Sequence, residues 1–274
     1  MYTQLGPDRV RYLDTVATRD PNQPPLVLIH GFGANLDEWG KLLPLLTQQG
    51  YRVVAIDLRG HGYSDRPEDG DYSIPAQAQL ILQLLDQLGI ERFVPVGHSW
   101  GSAITLELAL KVPTRIPRVV LFNGMLFEEA LPLLFAWAHV PGVGETIFSL
   151  FYTERVDEKL AWSMFSPELY LTDKTIENAE RAQARPGTVA AALATIRAMD
   201  FAAQEPQHFN IQQPVLLLWG REDQVTPLKY GERLALRLPH ARLVVVPRCG
   251  HLPMIEAQHL VADEMFRFLK EGQS

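Results

Sequence analysis

Arg92-Phe93-Val94-Pro95-Val96-Gly97-His98-Ser99-Trp100-Gly101 sets an apolar run directly ahead of a Gly-x-Ser-x-Gly pentapeptide, and a helical stretch, Trp100 to Lys111, follows. Small residues two positions before and two after Ser99 let the backbone turn sharply enough to hold a hydroxyl clear of a sheet. The segment reads as strand, tight turn and helix, with a nucleophilic serine at the turn. An ordinary glycine turn is the competing reading of the five residues alone, so the serine's partners must decide.

Outward from this point the chain alternates short aliphatic runs with longer amphipathic stretches, the pattern of a mostly parallel, doubly wound α/β sheet. The runs are Leu26 to His30, Arg52 to Asp57, Arg92 to Gly97, Arg118 to Asn123, Val215 to Gly220 and Arg242 to Pro247, with Arg9 to Leu13 a candidate antiparallel edge strand. Nearly continuous apolarity predicts strands buried on both faces. Helices are predicted over Leu36 to Gln48, Ile74 to Leu88, Trp100 to Lys111, Pro227 to Leu238 and Ile255 to Lys270. Between Asn123 and Pro214 the alternation stops for about ninety residues of helical composition, too long for a structureless loop. The expected organisation is a core of residues 1–123 and 211–274 carrying an inserted helical cap over 124–210. Aromatic residues recur in the insertion: Phe127, Phe135, Trp137, Phe148, Phe151, Tyr152, Trp162, Phe165, Tyr170 and Phe201. Phe135 to Gly144, where Gly and Pro interrupt an apolar stretch, is the expected lid.

Bulk properties narrow the chemistry. At 274 residues, 47% of them hydrophobic, the chain can fill a sizeable core. A formal charge of −7 and the lack of a Lys/Arg-rich run argue against nucleic acid or an anionic membrane as partner. The single cysteine, Cys249, cannot form an internal disulfide, and Met1 to Asp8 lacks the basic-then-apolar layout of a signal peptide, so a soluble, cytoplasmic protein is expected. The most apolar stretch, Leu131 to Val140, contains Pro132 and is far shorter than a bilayer span.

A serine hydroxyl is a poor nucleophile at neutral pH; it needs a base within hydrogen-bond reach and a group that orients that base. Side chains from different strands converge at the carboxyl ends of such a sheet. The loop after the last predicted strand, Cys249-Gly250-His251-Leu252-Pro253, supplies His251, and Gly220-Arg221-Glu222-Asp223 after the preceding strand supplies Asp223.

The order Ser99, Asp223, His251 at three strand ends resembles the α/β-hydrolase superfamily, and the resemblance covers essentially the whole chain. His30-Gly31-Phe32-Gly33 is similar to that family's oxyanion-hole loop, and Asp57-Leu58-Arg59-Gly60-His61-Gly62-Tyr63-Ser64-Asp65 to the loop after its next strand. The resemblance implies that the backbone N–H groups of Phe32 and Trp100 face the developing oxyanion, that a helical cap covers the nucleophile, and that neither metal nor organic cofactor is required.

Each assignment has a competitor. His30, His61 and His98 are read as shaping loops; Glu222 neighbours Asp223, and only one of the two can point inward; Asn123 stands where some superfamily members place their acid, but an amide cannot stabilise an imidazolium by charge. Cys249 is read as a buried structural thiol. Haloalkane dehalogenases and epoxide hydrolases of the superfamily carry aspartate where this chain has Ser99. Carbon–carbon bond hydrolases of the superfamily share the serine triad, but commonly carry Trp after the histidine, where Leu252 stands. The stretch from Gly250 to Glu256 resembles many carboxylesterases and cofactor-free haloperoxidase-like hydrolases. The sequence therefore predicts a carboxylic-ester hydrolase (carboxylesterase-like) for small to medium apolar substrates, with a C–C hydrolase or lactonase, and a non-catalytic ligand-binding member of the fold, as alternatives.

Overall fold

The computed structural model describes residues 1–15 and 23–271. Its strands are β1 at Tyr2–Leu5, β2 at Asp8–Asp14, β3 at Leu26–Ile29, β4 at Val53–Ile56, β5 at Val94–His98, β6 at Val119–Phe122, β7 at Val215–Gly220 and β8 at Ala241–Val246. They form one sheet in the order β1-β2-β4-β3-β5-β6-β7-β8. β1 and β2 are an antiparallel hairpin, β2 joins β4 antiparallel, and every pairing from β4 across to β8 is parallel. This is the mostly parallel α/β sheet that the sequence predicts; the strand expected at Arg9 to Leu13 is antiparallel but lies one place in, because β1 pairs outside it and forms the edge.

Continuous apolarity in the parallel strands has a geometric cause. Side chains alternate across the sheet, and both faces are covered. Val27, Ile29, Val54, Ile56, Val119, Leu121 and Leu217 enter one core; Leu26, Leu28, Val53, Val96, Val120, Phe122 and Leu218 enter the other. Helix α2 (Ile74–Gln87) starts at Ser73, whose hydroxyl accepts from the Ala76 N–H, and α3 (Trp100–Lys111) follows β5 directly. Two predicted helices are interrupted. Leu36 to Gln48 is a 3-10 turn at Leu36–Trp39 and a short helix at Leu43–Gln48, separated around Gly40. Ile255 to Lys270 is Pro253–Glu256 followed by Gln258–Lys270.

Between β6 and β7 the described residues form helices and 3-10 turns only: Leu133–Ala138, Val143–Phe151, Val156–Ser163, Pro167–Tyr170, Asp173–Gln183, Thr188–Arg197 and Phe201–Gln204 are helical. The first two are separated at His139 to Gly142, inside the stretch expected to act as a lid, and Thr188–Arg197 packs against both. Of the segment's aromatics, Phe127, Phe148 and Phe201 are fully buried, whereas Trp137, Phe151, Trp162 and Phe165 are exposed. Helices this short cannot enclose every large side chain in a core of their own. Among the described residues, no helix is long and apolar enough to cross a membrane.

The tightest fit lies where α3 leaves the sheet. A Cβ on Gly101 would stand 2.5 Å from the His30 carbonyl oxygen and 3.0 Å from the Ile29 carbonyl carbon. Both obstacles are backbone, so room for a methyl comes only from moving α3 off β3. Gly101→Ala is expected to cost about 1–3 kcal/mol, read as a lowered urea midpoint; an unchanged midpoint would show that the helix is free to shift.

Candidate active site

Ser99 sits at the β5–α3 turn with φ 51° and ψ −122°, a conformation that costs a non-glycine residue about 1–3 kcal/mol and persists only where the surroundings enforce it. Three backbone bonds do so. The Ser99 N–H donates to the Phe122 carbonyl at 2.9 Å, and the Ser99 carbonyl accepts from Ser102 and Met125, each at 3.0 Å. Glycine is required on either side because a Cβ at Gly97 would collide with Thr105 and the Gly101 backbone. Gly31 approaches from β3 so closely that its Cβ would lie 3.1 Å from that of Ser99.

The loops after β7 and β8 bring Asp223 and His251 together, with His251 Nδ1 2.8 Å from Asp223 Oδ2. In a neutral imidazole whose Nδ1–H donates to the carboxylate, Nε2 keeps its lone pair. The other Asp223 oxygen accepts from the Val225 N–H at 2.7 Å and the Thr226 N–H at 3.0 Å, while the Thr226 hydroxyl lies 2.7 Å from Oδ2. Burial opposes ionisation of Asp223, but His251, Asn123 and Thr226 outweigh it and hold the carboxyl below its ordinary range. Glu222 points elsewhere, accepting from the Cys249 N–H at 2.9 Å.

Asn123 does more at this site than its sequence position announces. At the end of β6, with φ 43°, its amide donates to Asp223 Oδ2, and its Oδ1 accepts from the Gly220 N–H at 3.2 Å. One side chain thus ties β6, β7 and the acid together. Its signal in the sequence is a polar residue ending an apolar strand, which alone does not say what it bonds.

The amide N–H groups of Phe32 and Trp100 have no hydrogen-bond acceptor among the described residues. Trp100 opens α3, where a helix leaves its first N–H groups unpaired. Gly31, one residue before Phe32, packs on Ser99, and Trp100 follows Ser99 in the chain. His30 braces this loop: Nδ1 is 2.7 Å from the Gly31 carbonyl, and Nε2 accepts from the Leu58 N–H at 3.0 Å. His61 is buried beside it, its ring 5.5 Å from that of His30, 5.7 Å from Phe32 and 5.4 Å from Trp100, and burial drives its pKa down to about 3. Burial likewise pushes the Cys249 thiol up, so the thiolate a nucleophile requires is suppressed. The ring of Phe32 also meets Phe135 at 5.4 Å and Tyr152 at 5.8 Å, which brings the β6–β7 segment against the site. The His251 N–H donates to the Ser163 carbonyl of that segment at 2.7 Å.

A family model described as alpha/beta hydrolase fold matches residues 24–258. A 2-hydroxymuconate semialdehyde hydrolase of Pseudomonas putida is 31% identical over 91% of this chain and 88% of its own length. Among solved structures, a meta-cleavage product hydrolase from Pseudomonas fluorescens superposes with a TM-score of 0.80 at 27% identity, covering 97% of this chain and 96% of that one. The enol-lactonase from Burkholderia xenovorans LB400 gives 0.80 at 25% identity, covering 99% and 100%.

Two outcomes test this geometry. Asn123→Ala strips partners from the buried Gly220 N–H and from Asp223, and is expected to cost about 1–3 kcal/mol in urea unfolding; a neutral result would mean that water replaces the amide. Asp223 has a depressed pKa, so its charge stabilises the fold above the ordinary carboxylate value of 3.8 and stops doing so as pH falls through the lowered one. The stability gap between wild type and Asp223→Asn should be widest at neutral pH and close on acidification. A gap that widens toward acid would contradict the assigned interactions.

Proposed function

Because the chain belongs to the alpha/beta hydrolase family, we propose that it is a serine-dependent hydrolase cleaving carboxylic esters of small to medium apolar substrates through an acyl-enzyme on Ser99. The observation that carries this reading is the buried Asp223–His251 contact of 2.8 Å at the same end of the sheet as the strained Ser99 turn. A neutral imidazole held this way has Nε2 free to serve a hydroxyl.

In this mechanism Ser99 Oγ attacks the ester carbonyl as His251 Nε2 takes its proton. Asp223 holds the imidazole in the working tautomer and stabilises the imidazolium. The oxyanion is met by the N–H groups of Phe32 and Trp100; such preorganised donors contribute about 3 to 4 kcal/mol each to transition-state stabilisation. The imidazolium protonates the departing alcohol, and a water deprotonated by the same histidine hydrolyses the acyl-enzyme. Residues 124–210 act as a cap, and Phe135 and Tyr152, packed on Phe32, form the part of it nearest the oxyanion loop. An apolar acyl or alcohol group fits an aromatic wall of this kind.

Carbon–carbon bond hydrolysis on the same residues is the second reading, favoured by the 31% identity to the Pseudomonas putida semialdehyde hydrolase. Leu252 in place of Trp after the histidine disfavours it.

A fluorophosphonate probe, a chain-length series of p-nitrophenyl esters and a 2-hydroxy-6-oxo-dienoate separate the two. Wild type is expected to label and to turn over short and medium esters, Ser99→Ala and His251→Ala to lose both, and Glu222→Gln to change little. Asp223→Asn should lower kcat by orders of magnitude, about 10⁴ in the trypsin-type triad. Turnover of the dienoate with inert esters moves the function to the second reading; absence of labelling sinks both.

A further inference from the structure

His98, directly before Ser99, faces hydrogen-bond acceptors on both sides of its ring. Nδ1 lies 3.3 Å from Glu38 Oε2, and Nε2 lies 2.9 Å from the His251 carbonyl oxygen. Neither a carboxylate oxygen nor a peptide carbonyl oxygen can donate, whereas a neutral imidazole has only one N–H. A neutral ring would therefore leave two lone pairs facing each other at one end, in a site where the His98 side chain is 3% exposed and that of Glu38 8%. Protonation at both nitrogens removes the conflict and places a charge-assisted bond on Glu38.

We propose that His98 is an imidazolium bridging Glu38 and the His251 carbonyl, and that this pair positions the loop carrying the base and the loop carrying the oxyanion donor on either side of Ser99. The second connection runs through the other carboxylate oxygen. Glu38 Oε1 accepts from the Gly31 N–H at 3.3 Å, one residue before Phe32. A single continuous path thus links Gly31, Glu38, His98 and the backbone of His251, with Ser99 next to its midpoint.

Charged and titratable neighbours are consistent with the bridge. Glu38 comes from the 3-10 turn after β3, Asp223 from the loop after β7 and His251 from the loop after β8, its ring centroid 4.8 Å from that of His98. Burial penalises a charged His98, but Glu38, the His251 carbonyl and Asp223 together more than offset it and raise the imidazole above its ordinary 6.5. His98 acts through the two loops and does not touch the reacting atoms, so it is a positioning residue.

The role rests on the serine-hydrolase reading, whereas the charge state does not, and two measurements keep them apart. Proton–nitrogen correlation spectra of ¹⁵N-histidine-labelled protein, with His98 assigned by its loss in His98→Gln, should show both ring nitrogens protonated and a titration midpoint above 6.5. Glu38→Gln, which keeps an acceptor for Gly31 but removes the charge, should bring the midpoint below that of wild type. A neutral ring at pH 6.5, or a midpoint unmoved by Glu38→Gln, overturns the bridge, whatever the enzyme hydrolyses. For the positioning role, the fluorophosphonate labelling rate of wild type should fall on an alkaline limb that tracks the His98 midpoint. In folded His98→Gln that limb should vanish and the neutral-pH rate should drop by about 10²-fold, the scale of a one-ångström misplacement. An alkaline limb retained in His98→Gln, or an undiminished labelling rate, overturns the role. Complete lack of labelling in wild type defeats the hydrolase reading and the role with it, while the spectra still decide the charge.

Discussion

Close approach of backbones at the β5–α3 turn is the constraint on which the rest of the site depends. Ser99 can hold a positive φ only because Gly97, Gly101 and Gly31 let β3, β5 and the first turn of α3 meet without side chains between them. That contact has consequences on both sides. Toward β3 it sets Gly31 against Ser99, and toward β6 it aligns the Ser99 N–H with the Phe122 carbonyl. Strain at the serine is thus balanced by packing already required to join helix and sheet.

Physical causes divide what the sequence reveals from what it hides. The parallel strands are legible because burial on both faces demands apolar residues at every position, and Gly97 to Gly101 because glycine alone tolerates the crowding there. β1, with Thr3 and Gln4 in a largely exposed ladder, carries no such demand, and its four residues leave no apolar run. The split near Gly40 is equally hard to read, since the apolar spacing continues across it. Ser99, Asp223 and His251 could be located by their places at strand ends. Glu38, Asn123 and Thr226 could not, because their roles come from segments 60 to 103 residues apart meeting in space, and hydrogen bonding between such segments has no period in the chain.

The segment between β6 and β7 belongs to the hidden part. Its composition announces helices, but the ring of Phe32 determines which aromatics matter near the serine: Phe135 and Tyr152 meet it, while Trp137, Trp162 and Phe165 face outward. Aromatic content alone overstates the segment's interior, because a short helix buries only one stripe.

Asn123 shows how charge is arranged around Asp223. An aspartate at position 123 would face the Asp223 carboxylate at hydrogen-bonding distance, and two like charges in a buried site force one of them to take up a proton. The amide avoids this by donating instead of accepting. It places a partial positive charge on Asp223 Oδ2, the oxygen that also receives His251, and its own oxygen remains engaged with the Gly220 N–H. With two backbone N–H groups on the other oxygen as well, Asp223 is held in its ionised form. In the proposed mechanism the carboxylate is therefore available to stabilise the positive charge that arises on His251. A permanently bound arginine in place of the amide would have neutralised Asp223 in advance and weakened that response.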